Sequence, residues 1–204
     1  IYAKNYPLAA AAAIDMPAID FNSAATSSYK NRATIIYDED DFDDLMENNQ
    51  NLILNNPITY VKGDVKLRGG QNLTINGILV VERDLEVGAS NRWGSRSGPS
   101  SITVNHATGT PAGIFSARHI NFREYAGDIN INGLIYAGDQ INITNLAADS
   151  HSFSVIGGII GRKLTITSSW RPINITHDNN TLIEIFSATE FSPIILVEHW
   201  EEEY

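Results

Sequence analysis

The run INGLIYAGDQINI, residues 131–143, contains the pattern that decides the fold: a glycine, an apolar run, a polar bend and a short apolar–polar–apolar strand. The same pattern returns elsewhere in the chain. Its copies are NGILVVERDLEV at 76–87, AGIFSARHINF at 112–122, GGIIGRKLTI at 157–166 and a degenerate first copy, PITYVKGDVKL, at 57–67. Repetition of one strand unit along a chain is typical of a solenoid, in which each turn stacks on the turn before it.

Each copy contains a first strand, which is the apolar run, and a second strand, which is the apolar–polar–apolar run. A further short alternating strand accompanies each copy as the third strand of the repeat. The third strands are residues 73–75, 102–104, 129–131, 153–155 and 173–175. The pattern predicts an all-β fold, a parallel β-helix of about five irregular coils with a helical N-terminal cap. We expect one domain over residues 1–204. Its leader and capping helix would occupy 1–56, the coils 57–176, and C-terminal strands 177–204, including strands at 182–186 and 194–197.

The composition narrows the classes of function. The formal net charge is −10, which disfavours a nucleic-acid partner because phosphate binding needs clustered Lys and Arg. The chain has no cysteine, so disulfide and thiolate chemistry are excluded. No run approaches the roughly 18 consecutive apolar residues of a membrane span. A membrane connection would therefore need a helix ahead of Ile1.

Residues 38–47 are rich in carboxylates and stand just ahead of the first coil. Acidic side chains in a first helical turn complement the helix dipole, and Phe42, Leu45 and Met46 fall on one side at helical spacing. A helix here would cover the end of the solenoid, which otherwise exposes core and an unpaired strand edge. The alanine-rich residues 8–14 predict another short helix.

Alternation along the strands predicts which side chains point outward. In the second strands the outward column includes Lys66 and Glu86, which we expect to form an ion pair on neighbouring coils. The third strands place an uncharged column outside, made of Thr74, Thr103, Asn130, Ser154 and Asn174. Asn76, Asn105 and Asn132 follow the third strands, where stacked amides can hydrogen-bond from coil to coil.

The first strands are apolar on both sides, which indicates that something covers them. Their predicted outward column is Ile58, Tyr60, Ile78, Val80, Ile114, Ser116, Leu134, Tyr136 and Ile160. We expect the chain to cover this surface itself. The leader would supply Leu8, Ile14, Ile19 and Phe21, and the tail would supply Ile194, Leu196 and Trp200.

A column of Asp64, Asp84 and His119 at the bend before the second strands is a candidate for catalysis or metal binding, because neighbouring coils hold carboxylates about 5 Å apart. Arg83, Arg118 and Arg162 lie beside this column and favour a charge-balanced edge instead. No metal-binding, nucleophile or phosphate-loop motif is present. We therefore predict no catalytic residue, no metal and no cofactor.

The candidate binding residues are those able to stack on or hydrogen-bond to a straight polymer. Trp93 and Trp170 lie in loops, where an aromatic ring can stack on a sugar face. Thr103, Asn130 and Asn174 belong to the flat polar column, and Tyr136 belongs to the predicted outward column of the first strands.

Residues 57–200 resemble the exported region of bacterial type IV pilus-associated proteins that carry a pilin-like helix followed by a β-helix. The matching features are PAIDF at 17–21, the repeated phrases and the terminal VEHWEEEY. The tapirins, surface β-helix proteins that bind cellulose, are a more distant likeness, and the bactofilins share only the solenoid principle. The resemblance implies a pilin-like helix ahead of Ile1 and display at the cell surface.

These observations lead to three hypotheses. The first is a non-enzymatic, extracellular module, pilus-associated or adhesive, whose partners are pilus or surface-assembly proteins. The second is a carbohydrate-binding module for an insoluble polysaccharide such as cellulose. The third is a polysaccharide lyase or hydrolase on the same scaffold.

Overall fold

The computed structural model describes residues 16–89, 98–144, 146, 151–167 and 169–187. Within these ranges the chain forms strands that join into one 13-stranded sheet, together with short helices. The elements are α1 (Tyr29–Arg32), β1 (Ile35–Asp38), α2 (Glu39–Asn48), β2 (Asn51–Leu54), β3 (Ile58–Lys62), β4 (Val65–Arg68), β5 (Asn72–Ile75), β6 (Ile78–Val81), β7 (Leu85–Ala89), β8 (Ser100–Val104), β9 (Gly113–Ser116), β10 (His119–Phe122), β11 (Ala126–Thr144), β12 (Phe153–Thr167), β13 (Asn174–His177) and α3 (Asn179–Ser187).

The strands stack in parallel into a β-solenoid of about six turns with three faces, as the sequence predicted. The first face consists of β1, β3, β6, β9 and residues 133–137 and 157–161. The second face consists of β4, β7, β10 and residues 139–144 and 162–167. The third face consists of β2, β5, β8, β13 and residues 126–132 and 153–156. The turn beyond the predicted coils is the first one, formed by β1, α2 and β2.

Helix α2 occupies the position in this first turn where a second-face strand would otherwise lie. Its acidic first turn and its buried Phe42 and Met46 match the helix expected from the sequence. Phe42 and Met46 enter the core beside Val65 and Leu67 of β4, so α2 covers the N-terminal end of the solenoid. The predicted capping helix is therefore confirmed.

The apolar side chains form two cores rather than one. The larger core fills the solenoid and contains the inward residues of all three faces. The smaller core lies outside the first face, where residues 16–33 and α3 cover Tyr60, Val80 and Tyr136. Because both sides of the first face are buried, its strands carry few polar residues, among them the buried Thr59 and Ser116.

The cover of the first face was predicted in outline, and its details differ. Met16, Ile19 and Phe21 of the leader pack there, together with Leu182 and Ile185 of α3. The predicted strand at 182–186 is wrong, because these residues belong to a helix whose apolar side faces the solenoid. Leu8, Ile14, Ile194, Leu196 and Trp200, which were also expected in the cover, lie outside the described residues.

The predicted outward column of the first face is shifted by one residue in β9. Gly113 pairs with Ile78, so Phe115 points outward and Ile114 points into the solenoid core. The ring of Phe115 packs edge-on against Tyr29, with 5.3 Å between ring centroids. A side chain at Gly113 would collide with the carbonyl oxygen of Leu134, which explains the glycine at the head of this strand.

Two corners between the third and first faces require glycine. Gly133 has φ of 154° and Gly157 has φ of 131°, a backbone region that other residues rarely adopt. A Cβ on Gly157 would also overlap the carbonyl oxygen of Gly133 on the neighbouring turn. The chain therefore turns at these positions only because no side chain is present.

Candidate functional site

The third face presents three parallel columns of outward side chains. The middle column was predicted, and the strand register confirms it: Thr74 pairs with Thr103, Thr103 with Asn130, Asn130 with Ser154, and Ser154 with Asn174. Ile53 of β2, which the sequence did not predict here, pairs with Thr74 and begins this column at its N-terminal end. Because neighbouring coils are about 4.8 Å apart, the residues after Ile53 form a straight row of hydroxyl and amide groups.

Two flanking columns widen this row into a flat surface, here called the polar face. They contain Asn51, Asn72, Ser101, Asp128 and Ser152 on one side, and Asn55, Asn76, Asn105, Asn132, Ile156 and Thr176 on the other. Asp128 is the one charged side chain in the three columns. The surface offers neutral hydrogen-bonding groups almost throughout.

Hydrogen bonds between coils hold the polar face rigid. The amide of Asn105 donates to Asn76 at 2.9 Å, and the amide of Asn76 donates to Asn55 at 2.6 Å. A second amide pair joins Asn72 to Asn51 at 2.8 Å. The predicted amide ladder is thus present from Asn55 to Asn105, and it starts one turn earlier than the sequence indicated.

Asp128 fixes the edge of the polar face nearest the long loops. Its carboxylate accepts the backbone N–H of Ser152 at 2.7 Å and the Ser152 hydroxyl at 2.9 Å. These donors, the backbone N–H first, hold the pKa of the Asp128 carboxyl below its usual range. His151 Nδ1 lies 3.3 Å from the same carboxylate. We interpret Asp128 as an anchor for this segment, because its oxygens are already engaged.

Trp170 lies at the corner where the second face passes into the third. Its side chain is fully outside the core, and the residue is 74% exposed. The backbone beneath it is held firmly, because Trp170 N–H donates to the carbonyl of Leu146 at 3.0 Å. The buried guanidinium of Arg171 donates to the carbonyls of Ala126 and Gly127. The ring is thus displayed from a rigid support beside the polar face.

Two long insertions of the chain connect a strand of the second face to a strand of the third. Residues 90–97, which contain the predicted binding residue Trp93, come between β7 and β8 and lie outside the described residues. Residues 145–152 come between β11 and β12. Loops that interrupt a solenoid on one side commonly carry its binding function.

Tyr136 does not belong to this surface. It is only 3% exposed, under the leader, and its hydroxyl donates to the carbonyl of Pro17 at 2.7 Å. Burial raises the pKa of the Tyr136 hydroxyl. Tyr136 therefore secures the cover of the first face, and the prediction that it contributes to binding does not fit this position.

The column of Asp64, Asp84 and His119 forms in register, with Asp84 beside His119 on the next coil. Asp84 Oδ1 accepts the backbone N–H of His119 at 3.2 Å and lies 2.9 Å from His119 Nδ1. Asp64 accepts the backbone N–H of Asp84 and pairs with Arg83 at 3.4 Å. Within the described ranges, no group of His, Asp and Glu has a geometry that could hold a metal ion.

The expected ion pair between Lys66 and Glu86 does not form, although the two residues are register partners. Lys66 pairs with Asp64 at 3.3 Å, while Glu86 pairs with Arg123 at 2.8 Å. Lys66 thus pairs with a residue of its own coil, and Glu86 pairs with a residue of the next coil.

No protein-family model matches this chain, and comparisons with curated proteins and with solved structures give no significant match. None of the helices in the described part of the chain is long and apolar enough to cross a membrane.

Proposed function

We propose that this protein is a non-enzymatic, extracellular adhesive module that binds a straight, insoluble polysaccharide along the polar face. The observation that carries the proposal is the set of three outward columns, uncharged apart from Asp128, with the exposed ring of Trp170 beside them. A sugar polymer presents hydroxyl groups along its length and apolar ring faces, which match hydrogen-bonding columns and an aromatic side chain respectively.

Rigidity supports this assignment. The amide ladders and the Asp128 anchor hold the columns in place before any ligand arrives. A preorganised surface loses little conformational entropy on binding, so many weak hydrogen bonds can sum to useful affinity. A repeating surface also suits a repeating ligand, because every turn of the solenoid contributes hydroxyl or amide groups at the same spacing.

We further propose that the module is attached to a type IV pilus or a related surface assembly through its leader. Residues 16–33 lie against the first face, and the polar face is the third. Attachment through the leader would therefore leave the polar face open to a ligand. The resemblance at 17–21 and in the repeats supports the same arrangement.

A pull-down on insoluble cellulose and chitin tests the ligand. Thr103→Arg places a long charged side chain in the middle of the polar face, and Trp170→Ala removes the exposed ring. We expect each change to weaken binding about tenfold or more, equivalent to about 1.4 kcal/mol. Asn121→Arg is the matched control, because Asn121 points outward from the second face in a neighbouring turn.

The result that would contradict the proposal is equally definite. Retention of wild-type binding in Thr103→Arg and Trp170→Ala would place the ligand elsewhere. Equal losses in Thr103→Arg and Asn121→Arg would show a non-specific charge effect and would also contradict the proposal. Failure of the wild type to bind either polymer would refute this class of ligand.

A further inference from the structure

The two ends of the solenoid differ in how they are closed. At the C-terminal end, residues 158–167 of β12 pair with β11 on one side, and within the described residues nothing pairs with their other edge. The inward residues of this last turn are therefore partly bare. Leu164 is 41% exposed, Ile166 is 47% exposed and Ile175 is 47% exposed.

We propose that the C-terminal segment 194–202 of this chain docks on this open end and adds a further strand beside residues 158–166 of β12. The segment belongs to residues 188–204, which lie outside the described residues. The chain's own tail, rather than a partner protein, would then cover the bare end of the core.

The sequence of the segment matches the strand that a further turn would need. First-face strands are apolar on both sides, as in ILVV of β6. The run IILV at 194–197 has the same character. The outer cover of the first face is already formed by residues 16–33 and α3, so the edge of β12 remains as the apolar surface for this run.

One parallel register satisfies the pattern along the whole edge. It pairs Ile195 with Ile159, Glu198 with Arg162 and Trp200 with Leu164. Ile159 and Leu164 point inward in their strands, as do their partners Ile135 and Ile141 on the previous turn. The register therefore puts apolar side chains over the exposed core and a carboxylate beside a guanidinium.

Charge also favours the tail over a second copy. The bare edge carries Arg162 and Lys163, both exposed. Two copies meeting edge to edge would bring these like charges together, which is the arrangement that natural edge strands use to prevent association. The tail instead brings Glu198 and the acidic run at 201–203.

Distance presents no obstacle. Six residues separate the end of α3 at Ser187 from Ile194, enough to span roughly 20 Å when extended. A tethered segment also has an effective concentration in the millimolar range, which favours it over a free partner.

Engineered cysteines test the register directly, since the chain has no cysteine of its own. Adjacent strands place Cα atoms within the distance that a disulfide requires, about 4.4–6.8 Å. We expect the full-length Ile159→Cys/Ile195→Cys variant to form an intramolecular disulfide under mild oxidation. The control, Ile53→Cys/Ile195→Cys, places the first cysteine on β2 at the opposite end and should form at least about tenfold less intramolecular product.

A second readout covers a shift in register or a poorly folded cysteine variant. Backbone amides of residues 159–165 should exchange about tenfold or more faster in full-length Ile195→Asp than in the wild type, while those of β6 stay unchanged. Unchanged exchange together with no intramolecular disulfide would overturn the proposal. Disulfide-linked dimers in place of the intramolecular product would assign the edge to a second copy and would also overturn it.

Discussion

The apolar core of the solenoid is covered differently at its two ends. At the N-terminal end, α2 replaces a strand and inserts Phe42 and Met46 into the last layer of the core. At the C-terminal end, Leu164, Ile166 and Ile175 form a comparable layer that no described residue covers completely. A helix closes an end by burying side chains, whereas charged residues on a bare edge merely discourage pairing. The outermost apolar layer is therefore buried by α2 at the N-terminal end, whereas Leu164, Ile166 and Ile175 stay partly exposed at the C-terminal end.

The closed end is also fixed by charged pairs. Both terminal nitrogens of Arg68 donate to Asp43 Oδ2 at 3.1 Å, joining β4 to α2. Glu39 pairs with Arg83 on the third turn and accepts the backbone N–H of Asp64 on the second. These contacts position the helix, while the buried Phe42 and Met46 provide most of the stabilisation, because partly exposed ion pairs contribute little.

The largest expected effect is the loss of the helical cap. Phe42→Ala should lower the free energy of unfolding by about 3–5 kcal/mol, because the ring is buried and packs edge-on against Tyr37 at 5.7 Å. Urea denaturation measures the change. Asp44→Ala, on the exposed side of α2, is the control and should change stability by less than about 0.5 kcal/mol. A loss in Phe42→Ala no larger than the control would show that α2 does not close the core.

The stability cost of removing an isoleucine side chain should differ between the interior of the solenoid and its C-terminal end. Ile143 and Ile166 are register partners on the second face; Ile143 is fully buried and Ile166 is about half exposed. Ile143→Ala should cost about 2–5 kcal/mol, and Ile166→Ala less than about 1.5 kcal/mol. Equal costs in chemical denaturation would mean that Ile166 is as well covered in solution as Ile143.

A smaller effect of opposite sign is expected near the closed end. Thr59 points into the core between Ile35 and Leu79, and its buried hydroxyl has no hydrogen-bond partner among the described residues. Thr59→Val keeps the shape and removes the unsatisfied group, so it should raise the free energy of unfolding by about 1 kcal/mol. Thr103→Val, at an outward position of the polar face, should show no such gain in the same thermal-melt assay. A destabilised Thr59→Val variant would mean that the hydroxyl has a partner.

The smallest effect concerns pH and the segment that Asp128 anchors. The pKa of Asp128 is lowered in the folded state, chiefly by the backbone N–H of Ser152, so its contribution is present above the unfolded value of 3.8 and is lost as pH falls through the folded value. The stability difference between wild type and Asp128→Asn should therefore stay constant from pH 6 to about 4 and shrink as the pH falls further. A difference that does not shrink in this lower range would assign the effect of the substitution to hydrogen-bond geometry rather than to charge.

Much of the fold could be predicted because every turn of a solenoid must bury apolar side chains in the same way. Each strand must turn apolar residues inward, so alternation in LEV at 85–87 or INI at 141–143 directly marks the second face. Phe42 and Met46 were readable for a similar reason, since helical spacing is a local property. The offset in β9 was not readable, because Ile114 and Phe115 are both apolar and either could face inward.

Part of the polar face could also be predicted from the sequence, and part could not. The middle column of the polar face follows from alternation and stacking, and it was predicted residue by residue. Its flanking amides in β2 were missed because NLIL at 51–54 precedes the first recognisable repeat. Aligning that segment as a third strand of an earlier turn would have revealed them.

Local periodicity and repetition along the chain were enough to predict the parallel solenoid, the helix ahead of it, the inward residues of most strands and the neutral column of the third face. Three-dimensional packing was needed to show that residues 16–33 and α3 cover the first face and that Tyr136 is buried beneath them. It was also needed to show that Lys66 and Glu86 pair with Asp64 and Arg123. Most of these contacts join residues far apart in sequence, and their outcome depends on which of several competing neighbours lies nearest in space.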